Sequence, residues 1–289
     1  MSDRLEGIVV AAFGRHYEVE LGDGTRLTGF PSGKKSPYAC GDRVALERIA
    51  ADQMLILRHL PRNSLLYRSD AYREKLIAAN ATQIVLVVAT EPSFSDDLLT
   101  RTLVAAESQG LASIIVLNKA DLAEGLGQAQ ARLAPLQALG YPVIAISARA
   151  DATPLLPFLA GEVSVLVGQS GMGKSTLINA LVPGAAAVTR EISTALDSGK
   201  HTTTHARLYH LGHGGVLIDS PGLQEFGLAH LSRGAIEQGF IEFRPHLNAC
   251  RFRDCRHQSE PGCAVKLAVE QGLIGGRRYE QFLRLTAER

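Results

Sequence analysis

A phosphate-cradling pattern limits this chain more than any other feature. Residues 168–175, GQSGMGKS, fit G-x-x-x-x-G-K-[ST], with the apolar run VSVLV (163–167) just before them and TLINAL (176–181) just after. A buried strand, a glycine-rich turn and a helix are the context in which such a loop works. Glycines let the backbone curl around phosphate oxygens, and the helix N-terminus supplies unpaired N–H groups and a positive dipole end. Gly168, Gln169, Ser170, Gly171, Met172, Gly173, Lys174, Ser175 and Thr176 are therefore expected to bind a nucleotide, with Lys174 at the β/γ-phosphate oxygens and Ser175 on Mg²⁺.

The loop starts more than halfway along 289 residues, and what surrounds it explains the position. Asn118, Lys119, Ala120 and Asp121 (NKAD) follow the apolar run ASIIVL, and Ser147-Ala148 follow VIAI. NKAD has the N-K-x-D form, whose carboxylate accepts two hydrogen bonds from the N1–H and exocyclic amine of guanine. Adenine lacks that pair of donors on the same edge, so the wrong base leaves a buried carboxylate unpaired. Ser147 and Ala148 match the short backbone element that meets the guanine oxygen. Asp219-Ser-Pro-Gly222 follows VLI and has the form D-x-x-G, in which the Asp reaches Mg²⁺ through water and the Gly N–H meets the γ-phosphate. Between these lies GKHTTTH (199–205), polar and without helical or strand period. It is expected to be a switch loop in which Thr203 completes the Mg²⁺ shell, although TTT also reads as a solvated strand edge. In the usual order the phosphate loop comes first and N-K-x-D and S-A last. Here the order is rotated, as a circular permutation leaves it, which moves the chain termini while keeping a three-dimensional site.

The rest of the chain divides around this block. Residues 1–61 hold five short runs rich in Val, Ile and Leu, with GDGT (22–25) reading as a hairpin turn. Five such strands suggest a small barrel, with the OB-fold leading and an SH3-like barrel giving much the same pattern. Residues 62–76 are polar with scattered basic groups and read as a linker. Residues 77–228 alternate apolar strands with helical stretches such as Asp97–Gln109, the pattern of a mostly parallel sheet covered by helices. A helical tail, 229–289, carries Cys250, Cys255, His257 and Cys263 as C-x₄-C-x-H-x₅-C. Three thiolates and one imidazole suit a closed tetrahedral zinc site, hence a structural one, because catalytic zinc keeps an open position. One disulfide with buried thiols would leave His257 unexplained. The expected fold is thus a multidomain α/β chain: a β-barrel, a circularly permuted P-loop GTPase domain and a helical zinc-binding domain.

With 46% hydrophobic and 20% charged residues the composition is that of globular domains rather than a disordered chain. No apolar run approaches the roughly 18–20 residues of a membrane span, and MSDRLEGIVV lacks a secretory apolar core. A cytoplasmic protein with no membrane partner is expected, and in that reducing compartment close cysteines are metal ligands more often than disulfides. From Arg244 to Arg289 nine Lys and Arg face five Asp and Glu, whereas residues 1–61 hold eight of each. Arg251, Arg253, Arg256, Arg277 and Arg278 can meet phosphates and Phe252 can stack on a base, or the same arginines can form a solvated face.

The barrel, the rotated motif order, GKHTTTH, DSPG and the Cys/His run ending in EPGCAVKLAVE together resemble the RsgA/YjeQ family of small-ribosomal-subunit-dependent GTPases over nearly the whole chain. The resemblance implies an OB-fold N-domain and binding of GTP and GDP with Mg²⁺. It also implies binding to the 30S subunit and its 16S rRNA late in assembly, with hydrolysis stimulated by the subunit. An asymmetric ribosomal site favours a monomer. The basic stretch of the barrel, PSGKKSPY, is short, which puts weight on Lys34 and Lys35. Where Ras-like proteins place a water-orienting Gln directly after D-x-x-G, this chain has Leu223, with Gln224 one position on. Leu cannot orient water, so unassisted turnover is expected to be slow, and the resemblance suggests His201 as the group that helps position it. The alternative is a nucleotide-gated RNA-binding module with incidental turnover; NKAD and SA argue against an ATP-using kinase or transporter ATPase.

Overall fold

The computed structural model describes residues 4–33, 37–69, 74–185, 206–220 and 228–287. Strands β1 (Arg4–Ala12), β2 (Tyr17–Leu21), β3 (Arg26–Pro31), β4 (Arg43–Ala50) and β5 (Gln53–His59) form the N-terminal barrel. Val44 and Leu46 on β4 and Met54 and Ile56 on β5 point inward at period two, joining Val9, Tyr17, Val19 and Tyr38 in one core where none is more than 6% exposed. Each such side chain contributes about 1.5–3 kcal/mol on burial, and a one-residue slip would turn the set to water, so the register is firmly fixed. The pairing order β1-β2-β3-β5-β4 closes through β4 onto β1, with β3 and β5 parallel. Because β4 does not pair with β3, this is the Greek-key order of the OB-fold rather than a meander. In the GDGT turn Gly24 takes φ 84° and Asp23 Oδ1 accepts the Thr25 N–H at 2.9 Å.

The stretch 62–76, read from sequence as a linker, contains most of an antiparallel hairpin, β6 (Leu65–Ser69) and β7 (Glu74–Ala79). Its charges hide the apolar residues that pack, Leu66 and Ile77, both buried. Just before it, the Arg62 guanidinium donates to both oxygens of the wholly buried Asp42 (2.6 and 2.7 Å), tying the hairpin to the barrel.

Strands β8 (Gln83–Ala89), β9 (Ala112–Asn118), β10 (Val143–Ala145), β11 (Val163–Val167), β12 (Arg207–His210) and β13 (Val216–Asp219) build the second unit, ordered β10-β9-β8-β11-β13-β12. All neighbours are parallel except β12 and β13. Every residue of β8 is buried, as a continuous apolar strand in a covered parallel sheet must be. Helices α1 (Asp96–Ser108), α2 (Leu126–Ala138), α3 (Leu156–Leu159) and α4 (Lys174–Leu181) connect them. NKAD, Ser147-Ala148, the phosphate loop and Asp219 all sit at or after the carboxyl ends of parallel strands, where open α/β sheets bind ligands. Strand order, not chain order, brings them together, so the permutation leaves the site whole. Among the described residues β12 also pairs with β1 (Ala11 opposite Arg207), which makes barrel and GTPase sheet one eleven-stranded surface. Arg207 bonds Glu18 at 3.0 Å and His210 Nε2 meets Glu20 at 2.6 Å across the junction.

The tail contributes α5 (Arg233–Gly239), α6 (Ala264–Glu270) and α7 (Gly276–Ala287). Phe240, Phe243 and Phe282 form its core, with ring centroids 5.0–5.6 Å apart. Helix α5 lies on α1 so closely that a Cβ on Gly239 would fall 2.8 Å from Val104 Cγ1. Arg278, expected among the cations open to phosphate, is instead 9% exposed. Its Nε donates to Glu242 at 2.7 Å and its Nη1 to Thr100 on α1 at 3.3 Å, with the guanidinium 4.5 Å above the Phe240 ring. Replacing Glu242 with Ala strands that buried charge and should cost about 3–5 kcal/mol in urea unfolding; an unchanged midpoint would contradict the assignment. Among the described residues no helix is long and apolar enough to cross a membrane.

Candidate functional site

Asn118 holds the site together. It is buried at the end of β9, its Nδ2 donates to Met172 O in the phosphate loop (2.9 Å), and its Oδ1 accepts the Ala148 N–H (2.9 Å). One side chain thus joins its own motif to two others, 54 and 30 residues away. Gly173 makes the approach possible: at φ 87° it lies against Asn118 Nδ2, which any Cβ would strike.

The cavity so enclosed has a volume of about 470 Å³, in the range of small-molecule sites. It is lined by Asn118, Lys119, Asp121, Ser147 and Ala148 on one side and by Ser170, Gly171, Gly173, Lys174, Ser175 and Thr176 on the other. Leu122 and Arg149 also line it, and sequence reasoning missed both although each directly follows a motif. Gly168, Gln169, Met172 and Asp219 are absent from the lining: the Met172 side chain is buried, and Gln169 Oε1 accepts the Ser95 N–H (2.8 Å). His201, Thr203, Gly222, Leu223 and Gln224, and Lys34 and Lys35 of the barrel, lie outside the described residues.

Two electrostatic features prepare the cavity for an anion with a cation. Lys174 Nζ folds back onto Gly168 O (2.5 Å) and Gln169 O (2.7 Å); burial holds its pKa below the ordinary lysine value, and Asp219 partly offsets this. Burial likewise pushes the Asp219 carboxyl up while Lys174 pulls it down. Phosphate oxygens can replace the two carbonyls around Lys174, and the hydroxyl of Ser175 with the carboxylate of Asp219 provides the hard oxygen donors that suit Mg²⁺. At the other end Asp121 is exposed rather than buried, at the open side of the cavity. A hydrogen bond from Ser147 is the main cause that keeps its pKa low, so the carboxylate is an ionised acceptor, and an entering base would supply the desolvation that makes an unpaired acceptor costly.

In the tail, one ligand atom each from Cys250, Cys255, His257 and Cys263 lies within 4.8 Å of all the others. His257 faces the sulfurs with Nδ1, 3.5 Å from Cys250 and 3.4 Å from Cys263, and turns Nε2 toward Glu237 at 3.9 Å. A carboxylate behind the distal nitrogen is the usual support of a metal-bound imidazole. The Ala264 N–H points at Cys250 Sγ and the Lys266 N–H at Cys263 Sγ, both at 3.4 Å, donors suited to thiolates. Burial and the neighbouring thiols push Cys255 up to about 12. Three soft sulfurs and one nitrogen fit a tetrahedral Zn²⁺ and leave no position for substrate.

Fold and site together define a circularly permuted P-loop GTPase with an N-terminal OB-fold barrel and a C-terminal Cys/His metal-site module. The RsgA GTPase family profile matches residues 59–229. A relative from Nitrosospira multiformis, "Small ribosomal subunit biogenesis GTPase RsgA", is 55% identical over 286 residues, 99% of this chain and 91% of its own. One of the same name from Ralstonia pickettii is 52% identical over 290 residues, covering 98% and 92%. Among solved structures, YjeQ from Thermotoga maritima superposes with a TM-score of 0.77 at 30% identity, covering 99% of this chain and 98% of its own. YloQ, described as a circularly permuted GTPase, gives a TM-score of 0.73 at 26% identity and covers 99% and 94%. The chain belongs to the RsgA GTPase family.

Proposed function

We propose that this protein is a small ribosomal subunit biogenesis GTPase: it binds GTP with Mg²⁺, engages the 30S subunit and its 16S rRNA, and is released when the subunit stimulates hydrolysis to GDP and phosphate. The observation that carries the reading is the Asn118 junction, which assembles a guanine-type pocket and a phosphate loop around one cavity. The names borne by the close relatives support the ribosomal partner. The working units are a barrel over 1–61, a connecting segment over 62–76, the GTPase domain over 77–228 and the metal-binding domain over 229–289. The protein acts as a cytoplasmic monomer.

Each residue then has a role in the reaction. Asp121 accepts from the guanine edge, Lys119 flanks the base, and Ser147 and Ala148 meet its oxygen. Backbone N–H groups of residues 169–176 and the Lys174 ammonium neutralise phosphate charge, which is where most of the catalysis of phosphoryl transfer lies. Ser175 and Thr203, with Asp219 acting through water, would hold Mg²⁺, which would supply further charge stabilisation. Gly222 meets the γ-phosphate, and His201 helps to position water where Leu223 cannot. Cys250, Cys255, His257 and Cys263 would hold one structural Zn²⁺, which would order a face that carries Arg251, Phe252, Arg253 and Arg256 toward RNA.

Fluorescent-nucleotide binding tests the pocket. GTP and GDP should bind, with ATP weaker by at least ~100-fold. Asp121→Asn should lose GTP by a similar ~100-fold factor and gain xanthosine triphosphate, because the Asn amide donates to the 2-oxo group. Equal binding of ATP, or unchanged GTP affinity in the variant, would sink the assignment.

A further inference from the structure

Behind the cavity, the segment 90–96 between β8 and α1 is fastened on two sides. On the guanine side, Lys119 Nζ donates to Glu91 O (2.6 Å), and the Thr90 hydroxyl donates to Lys119 O (3.2 Å). Arg132, on the helix that follows NKAD, reaches the same segment three times. It donates to Ser93 Oγ (2.8 Å), Phe94 O (2.8 Å) and Asp96 Oδ1 (2.6 Å), with its guanidinium 3.9 Å above the Phe94 ring centre. On the phosphate side, Gln169 Oε1 takes the Ser95 N–H (2.8 Å), and Pro92 Cγ lies 3.3 Å from where a Cβ on Gly171 would stand.

Stability alone gives little reason for this arrangement. The Asp96 side chain is 39% exposed and that of Arg132 21%, and partly exposed ion pairs add little to folding. What the contacts fix is position. Two residues of the phosphate loop, Gln169 and Gly171, rest on a segment whose other face is held by the guanine-side elements. A planar fork meeting three acceptors and a ring is a geometry that lysine cannot reproduce.

We infer that the side chains of Arg132 and Gln169 are positioning groups that set the phosphate loop through the segment 90–96, and so couple the guanine side of the cavity to the phosphate side by contacts made away from the nucleotide. The inference rests on the proposed reading of the cavity as a guanine-nucleotide site. Arg132 acts from a distance: among the described residues its hydrogen bonds all go to segment 90–96, and the loop it controls meets that segment through Gln169 and Gly171.

The test is a double-mutant cycle on fluorescent GDP binding with Arg132→Met, Gln169→Leu and the pair, alongside thermal unfolding of the nucleotide-free proteins. Methionine keeps an apolar stem against Phe94, and Gln169→Leu, which removes only the tether, serves should Arg132→Met fold poorly. Each single variant is expected to raise Kd by about tenfold, the double variant by little more than one of them, and Arg132→Lys to behave like Arg132→Met. Unfolding temperatures should stay near wild type. Additive effects, or a lowered unfolding temperature with unchanged Kd, would overturn the inference. If the wild-type protein itself binds no GDP, the nucleotide reading fails instead, and the two failures are distinguishable.

Discussion

Replacing Lys174 with Ala lowers kcat/KM for GTP by about 10²–10³-fold, the loss expected when one preorganised charge on a transferring phosphoryl group is removed. Three cations line the described cavity, and two of them are at its guanine end. Lys119 is committed to Glu91 O, and Arg149 follows the Ser147-Ala148 element beside Asp121. Lys174 alone of the three stands on the phosphate loop, its ammonium parked on the carbonyls of Gly168 and Gln169. Nucleotide capture exchanges those neutral acceptors for charged oxygens, and the depressed pKa of Lys174 is relieved by the same exchange. The Ala variant should fold normally, since it removes a half-buried charge rather than a core contact. Steady-state hydrolysis with circular dichroism as a folding check decides it: a fall of less than threefold would mean that another group carries the phosphate charge.

The second large effect concerns the Cys/His cluster. A structural zinc site of this ligand type contributes about 10–16 kcal/mol of apparent binding free energy, much of it folding energy for the residues that carry the ligands. Residues 251–256 are nearly all exposed around the cluster, so little else orders them. The cluster in turn leans on α7, where the Tyr279 hydroxyl donates to His257 O (2.5 Å) and the His257 ring lies 6.1 Å from that of Phe282. Purified protein should contain one zinc per chain. Cys263→Ser or a strong chelator should abolish amide protection around the cluster, residues 250–264, while leaving the barrel strands β1–β5 protected. Because the chain has no Trp, hydrogen exchange is the suitable probe. Metal-free protein with unchanged protection in the tail would contradict the zinc assignment.

How much of this was legible in the sequence depended on whether the chemistry is local. GQSGMGKS, NKAD and the Cys/His run could be read because phosphate, guanine and zinc each require particular groups at short, fixed spacing. The strands β8, β9 and β11 could be read because burial on both faces leaves them almost wholly apolar. Strand β12, RLYH, could not: it is half polar, and its identity comes from pairing with β13 and β1, about 10 and 200 residues away. The hairpin in 62–76 was obscured for a similar reason, its few packing residues lying among charges. Long-range partners also decided the fate of single side chains. Arg278 looks like a surface cation until Glu242, 36 residues away, and Thr100, 178 residues away, are seen to enclose it. The Gln169 side chain looks free to face the cavity until its amide oxygen is found accepting the Ser95 N–H.

The proposal that hydrolysis is coupled to the small ribosomal subunit is tested most directly by measuring GTP turnover of the purified protein alone and with added 30S subunits, 50S subunits or bare RNA. The expected result is slow turnover alone, as Leu223 after D-x-x-G implies, and a large rise with 30S subunits only. Equally slow turnover in every mixture would contradict it and would leave a nucleotide-gated binding module in place of a ribosome-triggered enzyme.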